Sequence, residues 1–204
     1  MRKILYIIFC ISVSSSLWAQ KSEYSPVVDL KSFEEGYTAY AQKLNSLQAS
    51  MTQNKYLSFM KKPITMKGKF YYEKENHLCM DFQQPQKMTF LLDGKQILIQ
   101  EDGRKDQRIN ANNKLFQQIN GIMMDIVKGK MLHQENMDVE VLENKEFYKL
   151  KAFPTAKKIK EFYKSFELFL NKQSMDVEKI KMFEVSGDYV VLEMDNTIIN
   201  KKID

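Results

Sequence analysis

The sequence predicts an α+β fold: a long antiparallel sheet, apolar on one face and wet on the other, with two helices on its concave side. Three observations carry that prediction. Apolar and polar residues alternate at period two over residues 48–109, the signature of strands with one buried face. Two stretches, 30–47 and 112–128, switch to the period of amphipathic helices. The chain's 204 residues, 44% apolar and 28% charged, suit one domain with a core of its own.

The chain opens with Met1-Arg2-Lys3, a ten-residue run from Ile4 to Val13 that is apolar except for Ser12, and a small-residue stretch ending at Ala19-Gln20. This is the order of a secretory signal, with cleavage expected after Ala19 and a single domain over 20–204. A run of ten residues reaches across only about half of a bilayer core, too short for a membrane anchor. Lipidation at Cys10 is rejected because the bulky Phe9 precedes it. Processing removes Cys10 and Trp18, the only tryptophan, and leaves Cys79 as the single cysteine. An exported chain of this kind has no intramolecular disulfide and depends on packing.

Residues 21–28 read as a loose leader. Ser32 with Glu35 has the form of a capping box, and Phe33, Tyr37, Tyr40, Ala41, Leu44 and Leu47 form one helical stripe. Strands follow at 49–59 and 64–74. Even-numbered Met66, Gly68, Phe70 and Tyr72 are set against charged neighbours, and Leu78, Met80 and Phe82 keep that parity, as do Met88, Phe90 and Leu92 after Pro85. Asp93-Gly94 marks a hairpin. Within 112–128, Leu115, Ile119, Ile122 and Ile126 make a stripe that Phe116, Met123, Met124 and Val127 widen, and Gly129 supplies a stop. Strands are expected again at 137–143, 146–153, 164–170, 177–185, 188–195 and 197–203, and Thr155 to Tyr163 holds one or two helical turns.

The 31 Lys+Arg and 26 Asp+Glu, net +5, are spread along the chain, which argues against a nucleic-acid binder. His77 and His133 have no Cys or carboxylate at metal-ligand spacing, and neither a phosphate loop nor a nucleophile elbow occurs. The composition therefore points away from an enzyme, a cofactor or a metal. Lys157, Lys158 and Lys160 read as a solvated helix face rather than a headgroup-binding cluster. The informative excess is methionine, thirteen in all. Met51, Met66, Met80 and Met88 fall on the apolar parity of successive strands, Met123 and Met124 sit on the second helix, and methionine adapts to ligands of varied shape. A one-sided sheet beneath helices too apolar for a simple cover can hold a lipid between them.

The run from the first helix through SLQASMTQNKYL and KKPITMKGKFYYEKENHLCMDFQQPQKMTFLLDGKQILI resembles the LolA-like outer-membrane lipoprotein carriers of Gram-negative bacteria. The similar features are Gly68-x-Phe70-x-Tyr72, Gln84-Pro85 ending a strand, Leu92-Asp93-Gly94-Lys95, and Ser186-Gly187-Asp188-Tyr189. The resemblance spans residues 30–204. It implies an incomplete antiparallel β-barrel of about eleven strands with a helical lid over its concave apolar face. It also implies a monomeric periplasmic carrier whose cavity takes the acyl chains of lipoproteins from an inner-membrane ABC-type release complex and passes them to an outer-membrane acceptor. The expected cavity residues are Phe70, Tyr72, Leu78, Met80, Phe82, Met88, Phe90, Leu92, Phe116, Ile119, Met123 and Met124. The family's lid-closing arginine maps onto Lys74 at the rim, where lysine keeps the charge but loses the planar fork. The alternatives are a lipid or lipoprotein sensor, a paralogue carrying another lipid, and a structural envelope module with a filled core.

Overall fold

Alternating side chains with one apolar face pair most readily with their sequence neighbours, and the chain does so almost throughout. The computed structural model describes residues 23–74, 77–93, 96–102, 107–109, 121–126, 128–133 and 135–203. Its strands are β1 (Ser25–Pro26), β2 (Ser46–Tyr56), β3 (Ile64–Glu73), β4 (His77–Gln84), β5 (Met88–Asp93), β6 (Gln96–Glu101) and β7 (Gln107–Ile109). The later ones are β8 (Met137–Glu143), β9 (Phe147–Pro154), β10 (Tyr163–Asn171), β11 (Val177–Glu184) and β12 (Tyr189–Ile199). They form one sheet in the order β1-β8-β9-β10-β11-β12-β2-β3-β4-β5-β6-β7, and every pairing in it is antiparallel. The expected incomplete barrel is thus an open sheet of eleven strands plus the two-residue β1.

The parity holds from strand to strand. Register pairs Phe70 with Met80 and Tyr72 with Leu78, then Met80 with Phe90 and Leu78 with Leu92. One face of β3 to β5 therefore collects the even-numbered apolar residues, as expected for a sheet with one buried side. Gly68 is fixed by a close approach. A Cβ there would stand 2.0 Å from the Asp81 carbonyl oxygen, where the β3–β4 register shifts after Lys67.

Helix α1 (Leu30–Lys43) buries Phe33 and Tyr37 against this face. Its cap corrects the expected Ser32–Glu35 box: Asp29 is the N-cap, and its Oδ1 accepts from the Ser32 N–H at 2.9 Å. A carboxylate at this position also favours the positive end of the helix dipole. The helix ends at Lys43 rather than at residue 47. Leu44 turns extended (ψ 110°), and Leu47 belongs to β2, so the apolar stripe runs on from helix into strand. Residues 121–126 are helical (α2), and Gly129 stops that helix at φ +66°. A Cβ on Gly129 would meet the Ala41 Cβ at 2.7 Å, so this glycine lets the end of α2 approach α1. The remainder of the expected 112–128 helix, with Phe116 and Ile119, lies outside the described residues, as does the expected leader 1–19. A short α3 (Lys157–Lys160) buries only Ile159.

Two further expectations are corrected. The leader is not loose throughout: Ser25 and Pro26 pair with Glu143 and Leu142, adding β1 to the edge of β8. The segments expected at 188–195 and 197–203 are one strand, β12. It absorbs the irregularity as a bulge between Asp195 and Ile198, with Asn196 at φ 53°, a conformation asparagine tolerates better than most residues.

Candidate functional site

The inner face of the sheet and the lid helices share one core, in which Phe33, Tyr37 and Leu44 of α1 meet Leu47, Phe70, Ile180 and Met194 of the strands. Between them lies an apolar cavity of about 30 Å³. Tyr37, Tyr40 and Leu44 line it from the α1 side, Met123 and Ile126 from α2, and Leu47, Phe70, Val177, Ile180 and Met194 from the sheet. That volume is the space of a single water molecule in the liquid, far below that of an alkyl tail. Its lining is almost wholly apolar.

The polar groups that hold α1 down are few. The Tyr37 hydroxyl donates to the Ile126 carbonyl at 2.5 Å and joins α1 to α2. The Tyr40 hydroxyl donates to Asp176 Oδ1 at 2.6 Å, on the β10–β11 turn. Both phenols are pushed well above the ordinary tyrosine range, Tyr37 chiefly by burial, Tyr40 by burial and then by donating to the Asp176 carboxylate. They therefore stay protonated as donors at every ordinary pH.

The C-terminal end of α1 is held differently. Asn200, at φ 56°, accepts through Oδ1 from the Asn45 N–H at 2.7 Å and donates through Nδ2 to the Lys43 carbonyl at 3.0 Å. The Lys74 N–H donates to the Asn45 carbonyl at 2.8 Å, and the Ser46 hydroxyl donates to the Lys201 carbonyl at 2.6 Å. The chain leaving α1 is thereby clasped from two directions. The exposed Lys74 reaches Asn45 Oδ1 with its ammonium at 3.5 Å. It therefore touches the turn beyond the helix rather than the body of the lid.

Of the residues expected to form the cavity, Phe70 and Met123 line it. Tyr72, Leu78, Phe82, Leu92 and Met124 are buried in the same continuous core, and Met80, Met88 and Phe90 pack against it half-buried. The residues that sequence reasoning missed are those of α1 and of the last strands: Tyr37, Tyr40, Leu44, Leu47, Ile126, Val177, Ile180 and Met194. The stripe from Phe33 to Leu47 was signal enough for the α1 members. Nothing in the sequence says that the late strands curve back beneath the same helix.

The outer face is of another kind. A hollow of about 640 Å³ there is lined by Tyr24, Lys149, Phe169, Lys179 and several carboxylates, and its charges pair across strands, Lys149 with Glu167 at 3.0 Å and Lys179 with Glu193 at 2.9 Å. Mixed, internally paired charge offers an apolar ligand nothing. Cys79 is half-buried and free, its thiol pushed up by burial and by Asp81. His77 pairs with Asp93 at 3.2 Å on the surface. Among the described residues no group of three or more His, Cys, Asp or Glu could hold a metal ion, and no helix is long and apolar enough to cross a membrane.

No curated protein matches the chain. Among solved structures, an uncharacterized conserved protein from Thermus thermophilus is 9% identical, with a TM-score of 0.51 over 84% of this chain and 88% of that one. A LolA superfamily protein from Nitrosomonas europaea is 11% identical, with a TM-score of 0.42 over 84% and 95%. The lipoprotein LppX of Mycobacterium tuberculosis is also 11% identical, with a TM-score of 0.44 over 84% and 97%. The first of these shares the fold. The family model for the outer membrane lipoprotein carrier protein LolA matches residues 42–204, all of the sheet from the end of α1 onward, and the chain belongs to that family.

Proposed function

We propose that the protein is an exported carrier that takes the acyl chains of lipoproteins between its lid helices and the inner face of its sheet, and makes or breaks no covalent bond. One observation supports this most: the lid meets the sheet across an apolar seam with a residual cavity, held by two tyrosine hydroxyls, and no catalytic set accompanies it among the described residues. In this reading the cavity marks where cargo enters, and α1 moves to admit it.

The magnitudes make such a motion feasible and reversible. Burying a chain of about fourteen carbons is worth about 10 kcal/mol, at about 0.8 per methylene. Lifting Phe33, Tyr37 and Leu44 off the sheet costs about 5–9 kcal/mol at 1.5–3 for each side chain, with about 1 kcal/mol for the Tyr37 hydroxyl and about 1–2 for the Tyr40 hydroxyl on its carboxylate. The two sides nearly cancel for one chain, and a cargo with two or three chains tips the balance toward uptake. Near-cancellation also keeps the cargo releasable, which a carrier needs when it receives from an inner-membrane ABC-type release complex and delivers to an outer-membrane acceptor. The rim candidate Lys74 acts, in this reading, by steadying the hinge at Asn45.

The test is native mass spectrometry of protein recovered from the periplasm of an expressing cell, together with titration by a fluorescent acyl probe. Co-purifying lipid or acylated peptide, displaced by the probe, is the expected result. A protein that carries no lipid and gives no saturable probe binding is a filled structural module, and the carrier reading fails.

A further inference from the structure

The strand ends farthest from the α1 hinge bring together three segments that lie far apart in sequence. The β2–β3 turn, the β11–β12 turn and the α3–β10 junction meet there. The Ser58 N–H donates to Asp188 Oδ1 at 2.8 Å and the Val185 N–H to the Phe162 carbonyl at 2.9 Å, while Tyr56 stacks on Tyr189 with centroids 4.3 Å apart. On this rim Phe59 is 80% exposed, and Met60, Ile64, Phe162 and Val185 are 43–48% exposed. Between β2 and β10 there are three strand spacings, about 14 Å, so these apolar groups share one short stretch of the same sheet rim.

Lysines surround the patch. Lys61 and Lys62 follow Met60 on the turn, and Lys157, Lys158 and Lys160 project from α3, all exposed; Ile159, the apolar member of that helix, points into the core. Among the described residues none of these five ammonium groups is ion-paired. The rim's own acids are largely engaged: Glu184 faces Lys55 at 3.9 Å, and Asp188 is held below the usual carboxylate range by the Ser58 N–H. Glu161 remains at the end of α3, and Asp102 follows β6, three strands beyond β3.

We infer that this rim docks on an anionic phospholipid surface, with Phe59 and Met60 entering the headgroup layer and the five lysines over lipid phosphates, which replaces the solvated-face reading of Lys157, Lys158 and Lys160 now that they stand beside exposed apolar groups. An apolar tip collared by unpaired lysines matches a bilayer interface, apolar below and negatively charged at the level of the headgroups. The apolar residues of the rim sit on turns and strand ends, Phe59 80% exposed at the tip of one, which suits insertion into a headgroup layer. The inference stands apart from the carrier reading, because docking needs no cargo.

The experiment is co-sedimentation of the leader-free protein with vesicles of phosphatidylglycerol and phosphatidylcholine, or of phosphatidylcholine alone. Missing tryptophan emission certifies the loss of Trp18 and its leader. Binding to the anionic vesicles is expected at low salt, fading at high salt. Phe59→Ser lowers partitioning about tenfold or more, and the triple change K157Q/K158Q/K160Q lowers it about a hundredfold, at about fivefold for each lysine. All of these are exposed positions, so unchanged circular dichroism accompanies the loss. The opposite rim supplies the control: I198S/K202Q, both exposed, leaves binding as it was. Failure to sediment at low salt, undiminished binding by the Phe59 and lysine variants, or loss of binding only in the opposite-rim control each overturns the inference. Capture of a protein partner by the same patch without vesicle binding overturns it as well.

Discussion

Removing the Tyr40 hydroxyl tests the lid most directly. In Tyr40→Phe the ring stays in place and only the 2.6 Å bond to Asp176 is lost. A hydrogen bond to a charged group contributes about 1.5–3 kcal/mol. Asp176 sits half-buried on a turn, where water replaces part of the lost bond, so about 1–2 kcal/mol is the working figure. If α1 lifts as a unit, that energy falls on the closed state alone and raises the open population about five- to thirtyfold. Stopped-flow mixing with an acyl probe under lid-limited conditions should then show an on-rate raised by the same factor. Asp176→Asn keeps a weaker, uncharged acceptor and falls between wild type and Tyr40→Phe. Should Tyr40→Phe lower the denaturation midpoint by the full amount while the on-rate stays fixed, the bond opens only in global unfolding. The lid is then no moving part.

Other consequences are quicker to check. Tyr37→Phe has the smaller effect of the two tyrosines, about 1 kcal/mol in chemical denaturation, because the Ile126 carbonyl keeps the Gly129 N–H at 3.2 Å. Phe90→Glu, half-buried beside the core, abolishes acyl-probe binding with the far-ultraviolet spectrum retained; unimpaired binding removes it from the cargo path. Gly68→Ala destabilises by at least about 3 kcal/mol in urea titration, since a Cβ at 2.0 Å from the Asp81 carbonyl meets backbone that cannot yield. Glu143 gives a pH dependence: Lys172 and the Val28 N–H hold its carboxyl below the usual range, so its stabilisation is complete above the ordinary glutamate pKa and disappears as pH falls through the lowered folded value. Melting temperature followed from about pH 6 downward should fall more steeply in wild type than in Glu143→Gln.

The sheet was readable because its two faces differ. With a period of two, one misassigned residue would have turned Phe70, Tyr72, Leu78 and Leu92 to water, and the alternation left no such freedom. Helix ends were less readable, since Leu44 and Leu47 fit the helical stripe and the inner face of β2 equally well. What breaks the helix is the Asn45–Asn200 clasp, a contact between residues 155 apart in sequence. The cavity escaped for the same reason. Parity names every inward residue but not those beneath α1, and Val177, Ile180 and Met194 arrive there only through the order β10-β11-β12-β2.

The two ends of α1 are held unequally, and that inequality decides how the lid can move. At its C-terminal end Asn200, Ser46 and Lys74 place four hydrogen bonds of 2.6–3.0 Å across three separate segments. At its N-terminal end the chain is fastened by the two residues of β1, the Val27 N–H on the Val141 carbonyl at 3.1 Å, and the Val28 N–H on Glu143 Oε1 at 2.9 Å. Val28 and Leu30 there are exposed, so the apolar hold on that end rests on Val27 and on Phe33 of the first turn. In the carrier reading, a helix so fastened opens by releasing its strap along β8 and pivoting at Asn45, because the pivot's bonds join backbone segments that also carry β2 and β12. The lysine at position 74 suits that division: in the same reading its point charge and backbone N–H, both on Asn45, steady the pivot, while the closing force resides in Tyr37, Tyr40 and the apolar side chains between them.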